Sequence, residues 1–432
     1  MPIKIYTTKT ISKKQLKQVF ERSSADYWQI IAQIRPKVAS VRQEGDQAIL
    51  KKYQQRQIPI NDLLLSKSEI KEAYQQIDKN FIPALNQAIK NIQKVHQAQK
   101  SKLIKEKKVL VMQRDIQVWR SWQAIERVGL YVPGGKANYP SSLLMTAIPA
   151  QIAGCNDIIV CVPPNQQGRL PPEVIITANK LGIKKVFKVG GAQAIAAMAY
   201  GTESIPKVYK IVGPGNQYVT AAKLLLFPTI DIDMPAGPSE NLIIADESAN
   251  NRFVAADLIT DAEHGDDSTA ILLITSMKQA ESVKKEIARI LPTLASENTI
   301  RSALKNYGAI IVTDNLEASI DLSNQYAPEH LQIMTKNALQ IAKQITNAGS
   351  IFIGNWTCKA SGDYATGANH VLPTGQSAKM FGPLSVESFG RLIQFQKASK
   401  KGLKDIKNTI NTFAQVEALP AHAYSCQVRF EK

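Results

Sequence analysis

The sequence predicts an α/β protein with two parallel-sheet units, a helical N-terminal segment and a helical C-terminal tail. Three observations predict it. From about residue 125, short apolar runs end at Gly or Pro and then pass into helical patterns. A second set of the same kind begins near Asn241. Residues 1–110 instead repeat their apolar positions at helical spacing. Strands alternating with helices imply a parallel sheet covered on both faces. A chain of 432 residues has room for two or three domains at roughly 100–200 residues each.

In the first segment, Ile30, Ile31, Ile34, Val38 and Val41 fall at helical spacing before a turn at Gly45-Asp46, and Ala48, Leu50 and Tyr53 resume the pattern. The first alternating set has apolar runs at 128–132, 157–162 (DIIVCV), 186–189 and 210–212. They are followed by Pro133-Gly134-Gly135, Pro163-Pro164, Gly190-Gly191-Ala192-Gln193 and Gly213-Pro214-Gly215-Asn216. Glycine at a strand-to-helix turn lets backbone approach a phosphate at a helix N-terminus. The G-x-G-x-x-G fingerprint is absent, so these turns alone leave nucleotide binding open. The second set runs through 241–246 (NLIIAD), 270–274, 309–312 and 350–353. From about Leu384 the chain reads as helix with Lys and Arg on one side, then an exposed tail.

Composition excludes several classes. Hydrophobic residues make up 44% and charged residues 21%, which is globular rather than disordered or collagen-like. No apolar run reaches the roughly 20 residues that span a bilayer, and no apolar signal segment opens the sequence. Cys155, Cys161, Cys358 and Cys426 form no C-x-x-C pair and read as reduced thiols. Together these features lead us to expect a soluble, cytoplasmic protein. The net charge is +17, and residues 1–110 carry 22 basic against 9 acidic residues. A footprint for nucleic acid and a solvated helical face both fit that excess. The absence of aromatic interleaving, RGG tracts and zinc-finger spacing favours the solvated face.

Candidate chemistry concentrates after residue 230. In 257–267 (DLITDAEHGDD), five acids surround His264 within a basic chain. If 251–264 is a helix, Asp257, Asp261 and His264 share one face, and a carboxylate and an imidazole at i and i+3 can hold one divalent ion. A solvated acidic helix end is the alternative, which fits poorly with Ala and Gly directly beside the histidine. The loop 354–374 is long, rich in Gly and Thr, and holds Asp363 and His370 as possible oxygen and nitrogen ligands. In Pro328-Glu329-His330, with Pro placed to open a helix, a carboxylate adjoins an imidazole, a pair able to move protons at neutral pH. It also fits an ordinary helix N-terminus. Residues 233–240 form a turn between the two sets that could line a cleft or act as a hinge.

Taken in order, the segments RVGLYVPGG (127–135), GGAQAIAAMAYG (190–201), GPGN (213–216), DMPAGPSE (233–240), AEHG (262–265), APEHL (327–331), SGDYATGANHVLPT (361–374) and EALPAH (417–422) closely resemble histidinol dehydrogenase over nearly the whole chain. The resemblance implies a zinc- and NAD-dependent enzyme of histidine biosynthesis that oxidises L-histidinol to L-histidinal and then to L-histidine. It implies one Zn²⁺ per subunit, held by Asp261, His264, Asp363 and His422. Substrate contacts would come from Ser239, Asp261, His264, His330, Asp363, Glu417 and His422, and NAD contacts from Tyr131, Gln193 and Asn216. Glu329 and His330 would be the catalytic bases: His330 takes the alcohol proton and Glu329 activates water for the second oxidation.

The resemblance also implies two Rossmann-like domains in a homodimer with exchanged C-terminal tails. The expected division is an N-terminal helical arm (1–24), a discontinuous first α/β domain carrying the metal and catalytic residues (25–128 plus 240–383), an NAD-binding second α/β domain (129–239) and the tail (384–432). The tail would carry Glu417 and His422 into the partner's site. One departure stands out, because Asp261 occupies a position where the family usually has Gln. Two carboxylates in an Asp, His, Asp, His set imply tighter metal retention. A paralogous zinc- and NAD-dependent dehydrogenase of another small polar alcohol is the alternative reading. Neither nucleic acid nor membrane is an expected partner.

Overall fold

The computed structural model describes residues 3–20, 27–105, 110–113, 115–134, 138–235 and 237–431. Gly135, Ala236 and part of the expected arm (1–2 and 21–24) lie outside them. In chain order the strands are β1 (Lys4–Thr7), β2 (Leu110–Gln113), β3 (Ile116–Ala124), β4 (Arg127–Tyr131), β5 (Asp157–Cys161), β6 (Lys185–Phe187) and β7 (Lys210–Val212). They continue with β8 (Asp231–Ile232), β9 (Glu240–Ala245), β10 (Thr269–Ile274), β11 (Gly308–Val312), β12 (His330–Met334), β13 (Ser350–Ile353) and β14 (Gly390–Ala398).

Two sheets are parallel, as the alternating pattern requires. One has six strands in the order β1-β11-β10-β9-β12-β13, the other five in the order β6-β5-β4-β7-β8. Apart from the N-terminal strand β1, which is added at one edge of the larger sheet, each starts at an inner strand (β9 or β4), winds outward on one side and then returns to fill the other, which is doubly wound topology. Every residue of β9 and β10 is buried, consistent with the apolar runs 242–245 and 270–274 and with helices on both faces. A third, antiparallel sheet, β14-β3-β2, was not expected.

The helices of 27–105 do not pack where the expected division placed them. Helix Tyr27–Glu44 buries Ile30, Ile34, Val38 and Val41 in one core with Ile195, Met198 and Val219, against helices Ala192–Tyr200 and Gln217–Leu226. Helix Lys67–Gln76 meets Pro172–Lys180, and Phe81–Lys105 meets Pro140–Ala153. These helices therefore cover the five-stranded sheet, and Phe81–Lys105 also reaches the 365–369 segment through Asn91 and His96. An amphipathic stripe reveals that a helix needs a partner, but not which sheet supplies it. The arm is not purely helical either. Strand β1 extends the six-stranded sheet beside β11, and Phe20 at the end of helix Lys13–Phe20 packs on Tyr326 at 5.2 Å between ring centroids.

Four local expectations also differ. Helix Asn251–Leu258 ends early, and a separate 3₁₀ turn, Asp261–Glu263, carries Asp261. Pro328 leads into strand β12 rather than a helix, because His330–Met334 pairs on both sides with β9 and β13. The loop 354–374 contains a short helix, Lys359–Tyr364. The segment after Leu384 forms β14 before helix Lys400–Val416, its nine residues all paired with β3, far away in sequence. Cys155 and Cys161 are buried, and none of the four cysteines is paired.

Candidate active site

The register of β12 on β9 sets His330 opposite Asn241. That places the preceding Glu329 beside Glu240, the first residue of β9. The two glutamates clasp each other: Glu240 N–H donates to Glu329 Oε2 at 2.9 Å, and Glu329 N–H donates to Glu240 Oε2 at 2.9 Å. The other oxygen of Glu240 accepts from Gly375 N–H at 2.6 Å. Burial pushes the Glu329 carboxyl up to about 7 even though neighbouring His330 favours its ionisation.

His330 is 3% exposed. Its Nδ1 lies 3.1 Å from the Glu240 carbonyl, 3.3 Å from Asp261 Oδ2 and 3.6 Å from Glu329 Oε2. Three oxygens around Nδ1 assign the proton there. Nε2 is then a buried lone pair without a hydrogen-bond partner among the described residues. Burial alone would lower the imidazole's pKa, but the Asp261 and Glu329 carboxylates outweigh it and leave it raised.

Asp261 is fully buried on its 3₁₀ turn. Beside it stands a residue that the sequence analysis did not single out, Lys359, which is 2% exposed. Its ammonium forms a close ion pair with Asp261 Oδ1 and another with Asp363 Oδ2 at 2.9 Å, one helical turn along. Burial opposes both charges, yet mutual attraction prevails: it holds Lys359 well above the ordinary lysine range and, with His330, Asp261 well below the carboxylate range. A lysine one helical turn ahead of an aspartate, among small residues in Cys358-Lys359-Ala360-Ser361-Gly362-Asp363, was the only available signal.

The remaining acids and rings frame this pair. His264 Nε2 lies 3.7 Å from Asp261 Oδ1, and burial lowers its pKa. Burial pushes Asp257 up to about 6, and Gln332 Nε2 donates to it at 2.8 Å. His370 is held neutral, pushed down to about 4 by burial, with Nδ1 3.0 Å from the Asp363 carbonyl. Ser239 directly precedes Glu240, and its carbonyl accepts from Thr269 N–H at 3.0 Å. Glu417, in the turn after helix Lys400–Val416, and His422, on helix Pro420–Gln427, are exposed and make no hydrogen bond or ion pair with this cluster within the chain, among the described residues.

The implied zinc can be tested against these side chains. Asp261, His264 and Asp363 do converge, but both carboxylates already hold the Lys359 ammonium. A divalent ion within bonding reach of both would sit about 4.5 Å or less from that ammonium, a repulsion of about 7 kcal/mol or more at an effective dielectric of 20. Among the described residues no group of three or more His, Cys, Asp or Glu could hold a metal ion. As they stand, these residues do not fit a divalent metal. The charge of Asp261, on which the expectation of tighter metal retention rests, is met by Lys359.

The expected dinucleotide residues lie elsewhere, on the five-stranded sheet. Tyr131 ends β4, Gln193 opens helix Ala192–Tyr200 after β6, and Asn216 caps helix Gln217–Leu226 after β7. All three follow carboxyl ends of strands that wind outward from β4, where doubly wound folds bind nucleotides. Tyr131 Oη accepts from Gly191 N–H at 3.1 Å, and Asn216 Oδ1 accepts from Tyr218 and Val219 N–H at 3.1 and 3.2 Å. Gly213 adopts φ +127°, and a Cβ there would collide with the Tyr131 carbonyl, so glycine alone allows β4 and the β7 turn to close together. By contrast, Glu240 and His330 stand at the amino ends of β9 and β12.

Comparison with known proteins bears on this arrangement. The family model for histidinol dehydrogenase matches residues 20–430. The chain is 43% identical over 426 residues to the histidinol dehydrogenase of Caldanaerobacter subterraneus subsp. tengcongensis, covering 98% of each chain. It is 42% identical over 426 residues to that of Methanocaldococcus jannaschii, again over 98% of each. The crystal structure of histidinol dehydrogenase from Elizabethkingia anophelis superimposes with a TM-score of 0.91 at 39% identity, covering 99% of this chain and 98% of that one.

Proposed function

Since the chain belongs to the histidinol dehydrogenase family, we propose that it oxidises L-histidinol to L-histidine through L-histidinal, reducing two NAD. The observation that carries the catalytic part of this reading is the pair at the start of β12. His330 offers an unpartnered buried Nε2, and Glu329 is a carboxyl that titrates near neutrality. Two oxidations at one carbon need two deprotonations, and this pair supplies two bases side by side.

In the first step His330 Nε2 takes the alcohol proton as a hydride passes to NAD, giving the aldehyde. Glu329, ionised in part at neutral pH, then takes a proton from the water that hydrates the aldehyde. A second hydride transfer gives the carboxylic acid. The Glu240 clasp fixes Glu329, and the Glu240 carbonyl with Asp261 fixes the tautomer of His330. Such pre-set geometry is where orientation contributes to rate. Tyr131, Gln193 and Asn216 would hold the dinucleotide, while Ser239, His264 and Asp363 line the substrate side. We assign no step to a metal.

Glu417 and His422 contribute in this reading through a homodimer that exchanges C-terminal tails. Their exposure, and that of Phe413 and Val416 beside them, supports it, as do the exposed apolar side chains of Ile393 and Phe395 on one face of β14. No helix among the described residues is long and apolar enough to cross a membrane. The test is NADH formed per L-histidinol consumed by the purified protein. Two NADH per substrate is the expected result, and none with L-histidinol but turnover of another small polar alcohol would move the chain to the alternative substrate.

A further inference from the structure

We infer that the Lys359 ammonium is the resident cation of this site, replacing the divalent metal that the resemblance implies. The inference rests on the proposed location of the active site but not on the identity of its substrate.

Three observations carry it. Lys359 is buried, and its Nζ is shared between Asp261 and Asp363, two of the residues expected to hold a metal. The oxygen of Asp261 that receives the ammonium is the one facing His264 Nε2 at 3.7 Å, so the cation stands on the very donor that a metal would join to His264. The remaining oxygen of Asp261 is 3.3 Å from His330 Nδ1. Both oxygens of this fully buried carboxylate therefore lie within ion-pair distance of nitrogen groups of the chain, although neither oxygen has a geometrically formed hydrogen bond.

Charge accounts for the pairing. Asp261 adds a second carboxylate to the site, and buried carboxylates need a counter-charge. A lysine on helix Lys359–Tyr364 supplies one covalently, four residues from Asp363. A tethered ammonium needs no metal from solution and cannot be removed by a chelator. Its charge is single, and it accepts no ligand electron pair, so it orders the two carboxylates and His264 without acting as a Lewis acid.

The experiment is a metal assay on the full-length protein expressed with added zinc and dialysed against metal-free buffer. Expected is less than about 0.1 zinc, manganese or cobalt per chain, well below the single ion of a closed N/O site. Zinc titration followed by calorimetry should show no tight uptake by the wild type. Lys359→Gln, which frees both carboxylates, should bind zinc at least about tenfold more tightly than the wild type, with ordinary circular dichroism confirming that it folds. About one metal per wild-type chain surviving dialysis would overturn the inference, whatever the variant does. Equal zinc affinity of wild type and folded Lys359→Gln would overturn it as well. NADH formation from L-histidinol, measured on the same metal-free sample, separates the two readings. Its presence supports both, and its absence at unchanged low metal content would count against the proposed substrate and leave the cation assignment standing.

Discussion

Glu240 and Glu329 each accept a hydrogen bond from the other's backbone amide, both at 2.9 Å, where neighbouring strands β9 and β12 begin. Parallel pairing alone would leave those first amides without ladder partners, so the two side chains finish the sheet edge. Because Glu240 also accepts from Gly375 N–H, both its oxygens act as acceptors. A Gln at 240 can offer only one. We predict that Glu240→Gln lowers kcat by about 10²-fold through displacement of Glu329 and His330, with little change in the KM for NAD. Equal kcat in wild type and variant would show that the clasp does not position the bases.

Replacement of His330 tests the base assignment directly. His330→Asn keeps a polar group at the head of β12 but removes the Nε2 lone pair. Steady-state kinetics should show kcat reduced by about 10²–10⁴-fold with NAD binding, read by fluorescence titration, unchanged. A parallel loss of NAD affinity would indicate damage to the fold instead.

Exchange of tails has a signature in mixed dimers. Co-expressed Glu417→Gln and His330→Asn chains should regain activity that neither shows alone, since one site of the mixed dimer would combine an intact body with an intact tail. If each site uses its own tail, the mixture should stay as inactive as its parts.

Acid stability should depend on His96, a buried histidine outside the candidate site. Its Nδ1 lies 2.8 Å from the Ile92 carbonyl, and its Nε2 faces Asn369 Nδ2 at 3.3 Å, while Asn369 also donates to the Met145 carbonyl at 2.7 Å. The ring thus ties helix Phe81–Lys105 through Asn369 to helix Pro140–Ala153. Burial lowers its pKa in the folded protein below the ordinary 6.5. The unfolded chain therefore binds the proton more readily. The resulting stability is fully present above pH 6.5 and is lost as pH falls through the lowered folded value. Urea midpoints should fall with acidification in that window, and His96→Gln should lessen the slope. An unchanged slope in the variant would place the acid sensitivity elsewhere.

The turn between the two sheet units relies on a buried ion pair. Lys223 Nζ lies 2.6 Å from Asp233 Oδ1 and 2.6 Å from the Gly213 carbonyl, and both side chains are 2% exposed. Lys223→Met strands the carboxylate and should cost about 3–5 kcal/mol in urea unfolding. Adding Asp233→Leu should recover part of that loss. A single variant as stable as the wild type would mean that water reaches Asp233.

The sequence by itself determined the strand–helix alternation and the motifs. Eight apolar runs, from 128–132 to 350–353, stand within a residue or two of the observed strands β4–β7, β9–β11 and β13, because buried parallel strands are written as continuous apolar residues. The residues at the head of β12 and on the Asp261 turn stand out as candidates in the sequence, since clustered His, Asp and Glu are unusual in a chain of net charge +17, but ordinary helix ends fit them as well and their roles come only from the family resemblance.

Only the tertiary structure decided which surfaces and charges meet. Periodicity identified the helices of 27–105 but not the five-stranded sheet they cover, and β14 owes its extended form to β3, which lies about 270 residues away in pairing. Glu329 and His330 begin a strand rather than a helix because β9 and β13 flank them. Lys359 is the sharpest case. In sequence it is one of 53 basic residues, and its neighbours 261 and 363 are about 100 positions apart. Folding closes that separation to ion-pair distance and takes all three from water, and a buried charge is then fixed by its partner rather than by its place in the chain.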